Sequence, residues 1–203
     1  MDFEIVIIDD NIKNTDPLPR TLSKSFPSAI IKNFADAEEG SNYILSNLTK
    51  KIIVFLDCRF DSGIQGIEAL KRIREKTSLV YIIMMSANQL LQLEEESVKF
   101  MVNHRGVFFI RNTEIEKATE LVTKINYLMD TKLDCVLEQW ILNHPEELLN
   151  KPYITTSDKG VMSLNDVLVE IRNQSDFGKT LERNLMVLTI DLFTRGKRMI
   201  AND

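Results

Sequence analysis

The sequence predicts an α/β fold, a doubly wound parallel sheet with helices on both faces, followed by a small all-α region. Two patterns in the first 129 of the 203 residues predict it. Five short apolar runs alternate with five segments in which apolar residues recur at helical spacing. The apolar runs are continuous rather than alternating, which is typical of strands buried on both faces of a parallel sheet.

The run over residues 51–57 is the clearest strand, because five successive apolar residues end there at a carboxylate. The other runs have a similar length and are bounded by polar or turn-forming residues. In chain order, the predicted strands cover residues 3–8, 29–34, 51–57, 80–85 and 106–110.

Each predicted strand is followed by a segment that suits an amphipathic helix. In the third of these segments, Ile67, Leu70 and Ile73 form one apolar stripe. Pro17 and Pro19 mark the start of the first, because proline is well tolerated in the first turn of a helix. The predicted helices cover residues 18–25, 41–48, 67–76, 89–103 and 114–129.

From residue 130 the alternation stops, so we predict a first domain over 1–129 and a helical region over 130–203. Helices are predicted over 131–143, 164–172 and 176–195, with a loop over 150–160 and Gly196 ending the last helix. Three helices in about 70 residues make a thin core. We therefore expect this region either to pack on the first domain or to form a homodimer with a second copy.

The composition narrows the class of protein. The net charge is −5, from 25 basic and 30 acidic residues, and neither region has the basic excess of a nucleic-acid-binding surface. Two cysteines, Cys58 and Cys135, give no disulfide framework, which favours a reducing compartment. No apolar run approaches the roughly 20 residues of a membrane-spanning helix, and no signal peptide is evident. We expect a cytoplasmic protein without nucleic-acid or membrane partners.

Four of the predicted strands end in residues that can carry chemistry. They are Asp9 and Asp10 after the first strand, Asp57 at the end of the third, Ser86 after the fourth and Arg111 after the fifth. In an open parallel sheet the carboxyl ends of the strands share one edge, and ligands bind there. We therefore expect these five residues to converge in one site.

Three carboxylates at close range require a counter-charge. Because the candidate ligands are all oxygen atoms, a hard cation such as Mg²⁺ is favoured over Zn²⁺. An aspartate such as Asp57 can attack phosphorus and form an aspartyl-phosphate. A hydroxyl and a fixed cation, here Ser86 and Arg111, can hold the phosphoryl oxygens.

Each of these residues also has a plainer interpretation. Asp9 and Asp10 are good caps for a helix that follows a strand, and Ser86 can cap the helix after the fourth strand. Arg111 can be a surface residue in a turn. The predicted register with Asp57 favours the functional interpretation of Asp9 and Asp10, and only the strand-end position of Ser86 favours it for that residue.

Four segments together resemble the receiver (CheY-like) domain of two-component response regulators. They read Ile-Ile-Asp-Asp-Asn at 7–11, Leu-Asp at 56–57, Ile-Ile-Met-Met-Ser-Ala at 82–87 and Phe-Phe-Ile-Arg at 108–111. The resemblance covers residues 1–129 and implies a flavodoxin-like, five-stranded fold. It also implies phosphoryl transfer from a histidine kinase or phosphotransfer protein in a phosphorelay.

The resemblance assigns roles residue by residue. Asp57 corresponds to the phosphoacceptor and shares Mg²⁺ with Asp9, Asp10 and the main-chain carbonyl of Arg59. Three residues correspond to those that bind or sense the phosphoryl group: they are the switch hydroxyl of Ser86, the aromatic switch Phe108 and the cation Arg111. Phe108 also has a plainer interpretation as an ordinary core aromatic.

The sequence departs from the receiver pattern in two places. Arg111-Asn112 replaces the usual Lys-Pro, and a planar guanidinium need not occupy the place of an ammonium. We expect the loop over residues 111–113 to run differently as a result. The segment after Asp57 lacks the usual Met-Pro, and its glycine falls one place late, so we expect this loop to be one residue longer.

Three functions follow as hypotheses. The first is a response regulator, phosphorylated on Asp57 and signalling through a helical, protein-binding or dimerising output. The second is a phosphorylation-independent pseudo-receiver adaptor, which the Arg111-Asn112 departure supports. The third is a Mg²⁺-dependent phosphatase. The absence of a second acid two residues after Asp57 argues against this third hypothesis, so we expect no turnover enzyme.

Overall fold

The computed structural model describes residues 3–144, 151–157 and 160–200. The chain divides into two compact units, Met1–Thr131 and Lys132–Asp203. The first unit contains one sheet and its flanking helices, and the second is smaller and mainly helical.

The sheet of the first unit has five parallel strands in the order β2-β1-β3-β4-β5. This arrangement confirms the predicted doubly wound α/β fold. The strands are β1 Glu4–Ile8, β2 Ile30–Phe34, β3 Ile52–Asp57, β4 Tyr81–Ser86 and β5 Val107–Arg111. The helices between and after them are α1 Pro17–Ser25, α2 Ala37–Leu45, α3 Gly66–Lys76, α4 Glu95–Asn103 and α5 Ile115–Asp130.

The central strand β3 is buried on both faces. Each residue in the run over 52–56 is at most 1 % exposed. Val54 and Leu56 belong to one apolar cluster with Leu70 of α3. Because side chains alternate along a strand, the residues between them face the other side of the sheet, where they are equally buried. This two-sided burial explains why the apolar run is continuous.

Helix α2 begins four residues earlier than the sequence predicts. Its N-cap is Asp36, whose carboxylate accepts a hydrogen bond from the backbone N–H of Glu39 at 2.7 Å. A capping carboxylate satisfies a backbone donor that the first turn leaves unpaired, so it fixes where the helix begins. The acidic segment before residue 41 is therefore the first turn of the helix.

The helix predicted over residues 89–103 is divided in two. A single 3₁₀ turn, Leu90–Gln92, is followed by extended backbone, and α4 begins only at Glu95. Glu95 and Glu96 then lie in the first turn of α4, where negative side chains interact favourably with the helix dipole. These acidic residues thus mark the start of the helix, in the middle of the segment predicted as one helix.

The described residues of the second unit form three helices, α6 Leu133–Leu142, α7 Leu164–Arg172 and α8 Asp176–Ile200. It is not purely α-helical, because an antiparallel hairpin pairs β6 Ile154–Thr156 with β7 Gly160–Met162. The sequence predicts a loop there, because each of the two strands has only three residues. Positions 150, 158 and 159 of that predicted loop lie outside the described residues.

Helix α8 also continues past its predicted end. Gly196 lies within the helix, which runs to Ile200. A single glycine lowers helix stability by about 1 kcal/mol relative to alanine but does not by itself end a helix. The predicted end at Gly196 was therefore wrong.

The core of the second unit combines an apolar cluster with a buried ion pair. Met162, Val167 and Ile171 are buried together, and the cluster extends to the start of α8. Beside it, the Arg172 guanidinium contacts the carboxylates of Asp134 and Glu138 on α6, at 3.2 and 2.8 Å. In neither unit does a described helix have the length and apolar character needed to span a bilayer.

Candidate functional site: a carboxylate cluster at the sheet edge

The carboxyl edge of the sheet brings three aspartates together. Strands β1 and β3 are parallel neighbours, with Ile8 opposite Leu56. Asp9 and Asp10 follow β1 directly, and Asp57 is the last residue of β3. One carboxylate oxygen from each aspartate lies within 4.8 Å of the other two. The convergence of these three residues is thus a direct consequence of the parallel register.

Local backbone donors fix Asp9 and Asp10. Asp9 is 8 % exposed, and its Oδ1 accepts hydrogen bonds from the N–H groups of Asn11 at 2.8 Å and Ile12 at 3.1 Å. Asp10 is partly exposed and accepts the N–H of Asp61 at 2.7 Å. Asp61 lies in the loop after β3, so this bond ties that loop to the end of β1.

The electrostatics of the cluster disfavour three negative charges. Burial, followed by the nearby charge of Asp9, raises the pKa of Asp57 to about 7, although the backbone N–H donors of Cys58 and Arg59 act in the opposite direction. Burial also raises the pKa of Asp9. Within the described parts of the chain, no lysine or arginine forms an ion pair with any of the three carboxylates.

This donor set suits a hard divalent cation. Three carboxylates supply only oxygen, and no histidine or cysteine sulfur belongs to the cluster of described residues. Mg²⁺ binds through one or two carboxylates and retains sites for water and phosphate oxygens. The residues therefore fit Mg²⁺, with Asp9, Asp10 and Asp57 as the side chains able to hold it.

Ser86 and Arg111 lie at the same edge but make local contacts. Ser86 is buried at the end of β4, opposite Arg111 of β5, and its Oγ accepts the N–H of Asn88 at 3.1 Å. The Arg111 side chain is 46 % exposed and pairs with Glu114 at 3.5 Å. The structure therefore brings Arg111 to the site edge while its guanidinium contacts a residue outside the carboxylate cluster.

Glu114 is the site residue that the sequence analysis missed. Its carboxylate also binds Lys117 Nζ at 2.5 Å and accepts the backbone N–H of Arg111 at 2.9 Å. The bond to Lys117, followed by the one to the Arg111 backbone, lowers the pKa of Glu114 to about 2. The spacing of three residues suits the Glu114–Lys117 pair at the start of a helix, but it does not select the pairing of Arg111 with Glu114.

Gly66 lies against the site, whereas the ring of Phe108 contacts the first residue of β4. Phe108 is partly exposed, and its ring stacks on Tyr81 with centroids 6.4 Å apart. Its part in any switch stays a prediction. Gly66 opens α3 directly below Asp57, where a Cβ atom would lie only 1.8 Å from the Asp57 carbonyl oxygen. A side chain at position 66 is thus incompatible with this placement of Asp57.

Comparison with known proteins gives the fold. No protein-family model and no curated protein matches the sequence. Among solved structures, a two-component response regulator from Clostridium difficile is 23 % identical with a TM-score of 0.50, over 64 % of this chain and 99 % of that one. The first unit has the receiver fold. The N-terminal domain of an uncharacterized protein from Wolinella succinogenes is also similar, at 20 % identity and a TM-score of 0.50, over 62 % of this chain and 94 % of that one. We refer below to the first unit as the receiver unit.

Proposed function

We propose that the protein is a two-component response regulator, phosphorylated on Asp57 by a histidine kinase or phosphotransfer protein. In this proposal Mg²⁺ is held by Asp9, Asp10, Asp57 and the main-chain carbonyl of Arg59. The second unit is the output and acts by binding protein. We place the protein in the cytoplasm, in keeping with its two free cysteines.

The observation that supports this proposal most is the carboxylate cluster itself. Three aspartates from two neighbouring strands lie within 4.8 Å of one another and have no cationic partner among the described residues. Such an arrangement is costly for a structural role, since each added negative charge opposes ionisation of the others. It is useful where a divalent cation and a phosphoryl group must be held together.

The chemistry is a nucleophilic substitution at phosphorus. An Asp57 carboxylate oxygen forms the new P–O bond, and the P–N bond of the donor phosphohistidine breaks. The electron pair of that bond returns to the imidazole nitrogen, which takes a proton from solvent. Mg²⁺, when bound, supplies the positive charge that offsets the carboxylates and the phosphoryl oxygens. The phosphoryl group stays on the protein until water hydrolyses the acyl phosphate, so the protein is a switch rather than a turnover enzyme.

In this proposal three side chains respond to phosphorylation of Asp57: Ser86, Arg111 and Phe108. Ser86 Oγ keeps its proton available for donation, because its contact with Asn88 uses it as an acceptor. Arg111 must leave Glu114 in order to reach a phosphoryl oxygen. Phe108 is partly exposed on β5, three residues before Arg111, and so has room to change its rotamer with the end of that strand.

Intact-mass spectrometry after incubation with Mg²⁺ and a small phosphodonor, acetyl phosphate, tests the proposal. We expect one added phosphoryl group on the wild type and none on Asp57→Asn. Asp61→Asn is the matched control, because it removes an exposed carboxylate from the same loop and should leave the adduct unchanged. The proposal would be contradicted if the wild type formed no adduct and titration calorimetry detected no Mg²⁺ binding.

A second candidate function is the phosphorylation-independent adaptor. The pairing of Arg111 with Glu114 favours it, because the cation expected to hold the phosphoryl group is engaged elsewhere. An adaptor predicts a fold and partner binding that are insensitive to Mg²⁺ and to Asp57→Asn. The mass measurement therefore separates the two functions.

A further inference from the structure

Helix α8 is longer than the core that supports it. It has 25 residues, about 37 Å at 1.5 Å per residue. Phe177 and Leu181 near its start pack against the apolar cluster that Val167 and Ile171 of α7 help to form. Gly178 permits this close approach, since a Cβ atom there would lie 2.1 Å from the carbonyl oxygen of Glu170. Beyond Leu181 the helix leaves the cluster.

The part of α8 over residues 185–193 is apolar on all sides and largely exposed. Seven of its nine residues are apolar. Six of these are at least half exposed: Met186 at 59 %, Val187 at 50 %, Leu188 at 54 %, Ile190 at 61 %, Leu192 at 61 % and Phe193 at 74 %. A helix that is apolar all round is normally buried. Monomeric proteins seldom expose an apolar patch beyond roughly 300–600 Å², so this segment calls for a partner.

The charge of the segment restricts the kind of partner. Between residues 184 and 194 the one charged residue is Asp191. Nucleic acid and strongly charged peptides need complementary charge, which this segment lacks. A helix lying in a membrane interface needs a charged or strongly polar face, and this segment lacks that too. The partner must offer an equally apolar and nearly neutral surface.

A second copy of the chain offers such a surface. Leu181, Leu185, Leu188 and Leu192 are spaced by four, three and four residues, the spacing of a coiled-coil seam. This spacing reads the same in both directions. In an antiparallel pair related by a two-fold axis, Leu185 of one copy faces Leu188 of the other, and Leu181 faces Leu192.

We propose that residues 181–193 of α8 form the antiparallel seam of a homodimer. The pairing places the exposed C-terminal half of each helix beside the N-terminal half of the other. Within the seam, Leu188 is 54 % and Leu192 is 61 % exposed, and Leu181 and Leu185 are partly exposed, so all four side chains can reach a partner. The seam does not involve Asp57. A negative result for the dimer would therefore leave the proposed function unaffected, and the reverse also holds.

Light scattering on a sizing column, over a range of concentrations of the full chain, tests the dimer. We expect twice the chain mass of 23.4 kDa for the wild type and the chain mass for Leu188→Glu. Asn165→Glu introduces the same carboxylate at an exposed site on α7 and should remain dimeric. Circular dichroism would verify that Leu188→Glu stays folded. A wild type that is monomeric at 100 µM (on the order of a weak dimer's dissociation constant), or a Leu188→Glu that remains dimeric, would overturn the proposal.

Oxidative cross-linking tests the antiparallel register. An equal mixture of Leu185→Cys and Leu188→Cys chains should form a disulfide-linked dimer more readily than either variant alone, and the parent chain should form none. Stronger cross-linking of each variant with itself would indicate a parallel seam and contradict the register. A wild type that is monomeric and binds neutral phosphatidylcholine vesicles would assign the segment to lipid and overturn the second copy as its partner.

Discussion

Replacing Asp57 by asparagine should stabilise the metal-free protein at alkaline pH. Asp57 is partly buried beside Asp9, and its pKa is about 7 compared with an ordinary 3.8. Below pH 4 the Asp57 carboxyl is protonated in both the folded and unfolded states and contributes nothing. Between pH 4 and 7 the unfolded chain loses this proton first, so the free energy of unfolding falls as pH rises. Above pH 7 this decrease in the free energy of unfolding is complete. Asp57→Asn avoids the decrease, because asparagine does not ionise.

The size of the effect follows from the same pKa. A rise from 3.8 to about 7 corresponds to about 4 kcal/mol without screening, at about 1.4 kcal/mol per pKa unit. Because Asp57 is partly open to solvent, screening reduces this to roughly 1–2 kcal/mol. We therefore expect Asp57→Asn to unfold at a higher urea concentration than the wild type at pH 8 in EDTA, and at nearly the same concentration at pH 4.

The same stability comparison in the presence of Mg²⁺ tests whether the cluster binds a cation. A cation that binds the folded wild type raises its free energy of unfolding, so the advantage of Asp57→Asn at pH 8 should shrink or reverse when Mg²⁺ replaces EDTA. Urea unfolding by circular dichroism gives the free energies, and hydrogen exchange of the β3 amides assigns the change to the receiver unit. A wild type as stable as Asp57→Asn at pH 8 in EDTA would refute the account of like charges in a partly buried cluster.

Three further changes test other contacts. Glu114→Gln weakens the hold on Arg111 and should speed formation of the acetyl-phosphate adduct several-fold; an unchanged rate would show that this pairing does not restrain the guanidinium. Gly66→Ala places a methyl group against the Asp57 carbonyl oxygen and should lower the stability of the receiver unit by about 1–3 kcal/mol in thermal unfolding; an unshifted transition would contradict the close approach. Arg172→Met leaves two carboxylates of α6 unpaired and should cost the second unit about 3–5 kcal/mol, measured by tryptophan fluorescence in urea; a small loss would mean that water compensates these carboxylates.

The fold of the receiver unit could be predicted because its signals are strong and consistent. A buried parallel strand needs apolar residues on both faces, so β1, β3 and β4 are visible as continuous runs in the sequence. The meeting of Asp9, Asp10 and Asp57 follows from the same logic, since parallel strands place their carboxyl ends together. Their roles as metal ligands and phosphoacceptor remain predictions that only binding and labelling can test.

Three features could not be predicted from the sequence: the start of α2, the hairpin of the second unit and the ion pair of Arg111. Helix α2 begins at the Asp36 cap. The sequence alone does not show which of several neighbouring acidic residues caps the helix. The hairpin of the second unit has two three-residue strands, which are too short to show a pattern. The engagement of Arg111 by Glu114 is one of several ion pairs open to an exposed arginine, and sequence spacing alone does not select it.

The most direct test of the central claim is to locate the phosphoryl group. After incubation with Mg²⁺ and acetyl phosphate, borohydride reduction of the acyl phosphate and peptide mapping would identify the modified residue. The account predicts modification at Asp57 alone, and its loss when EDTA replaces Mg²⁺ or when Asp9 and Asp10 are both changed to asparagine. Modification at another residue, or labelling of Asp57 that does not require Mg²⁺, would contradict the claim that the carboxylate cluster is a metal-assisted phosphoryl site.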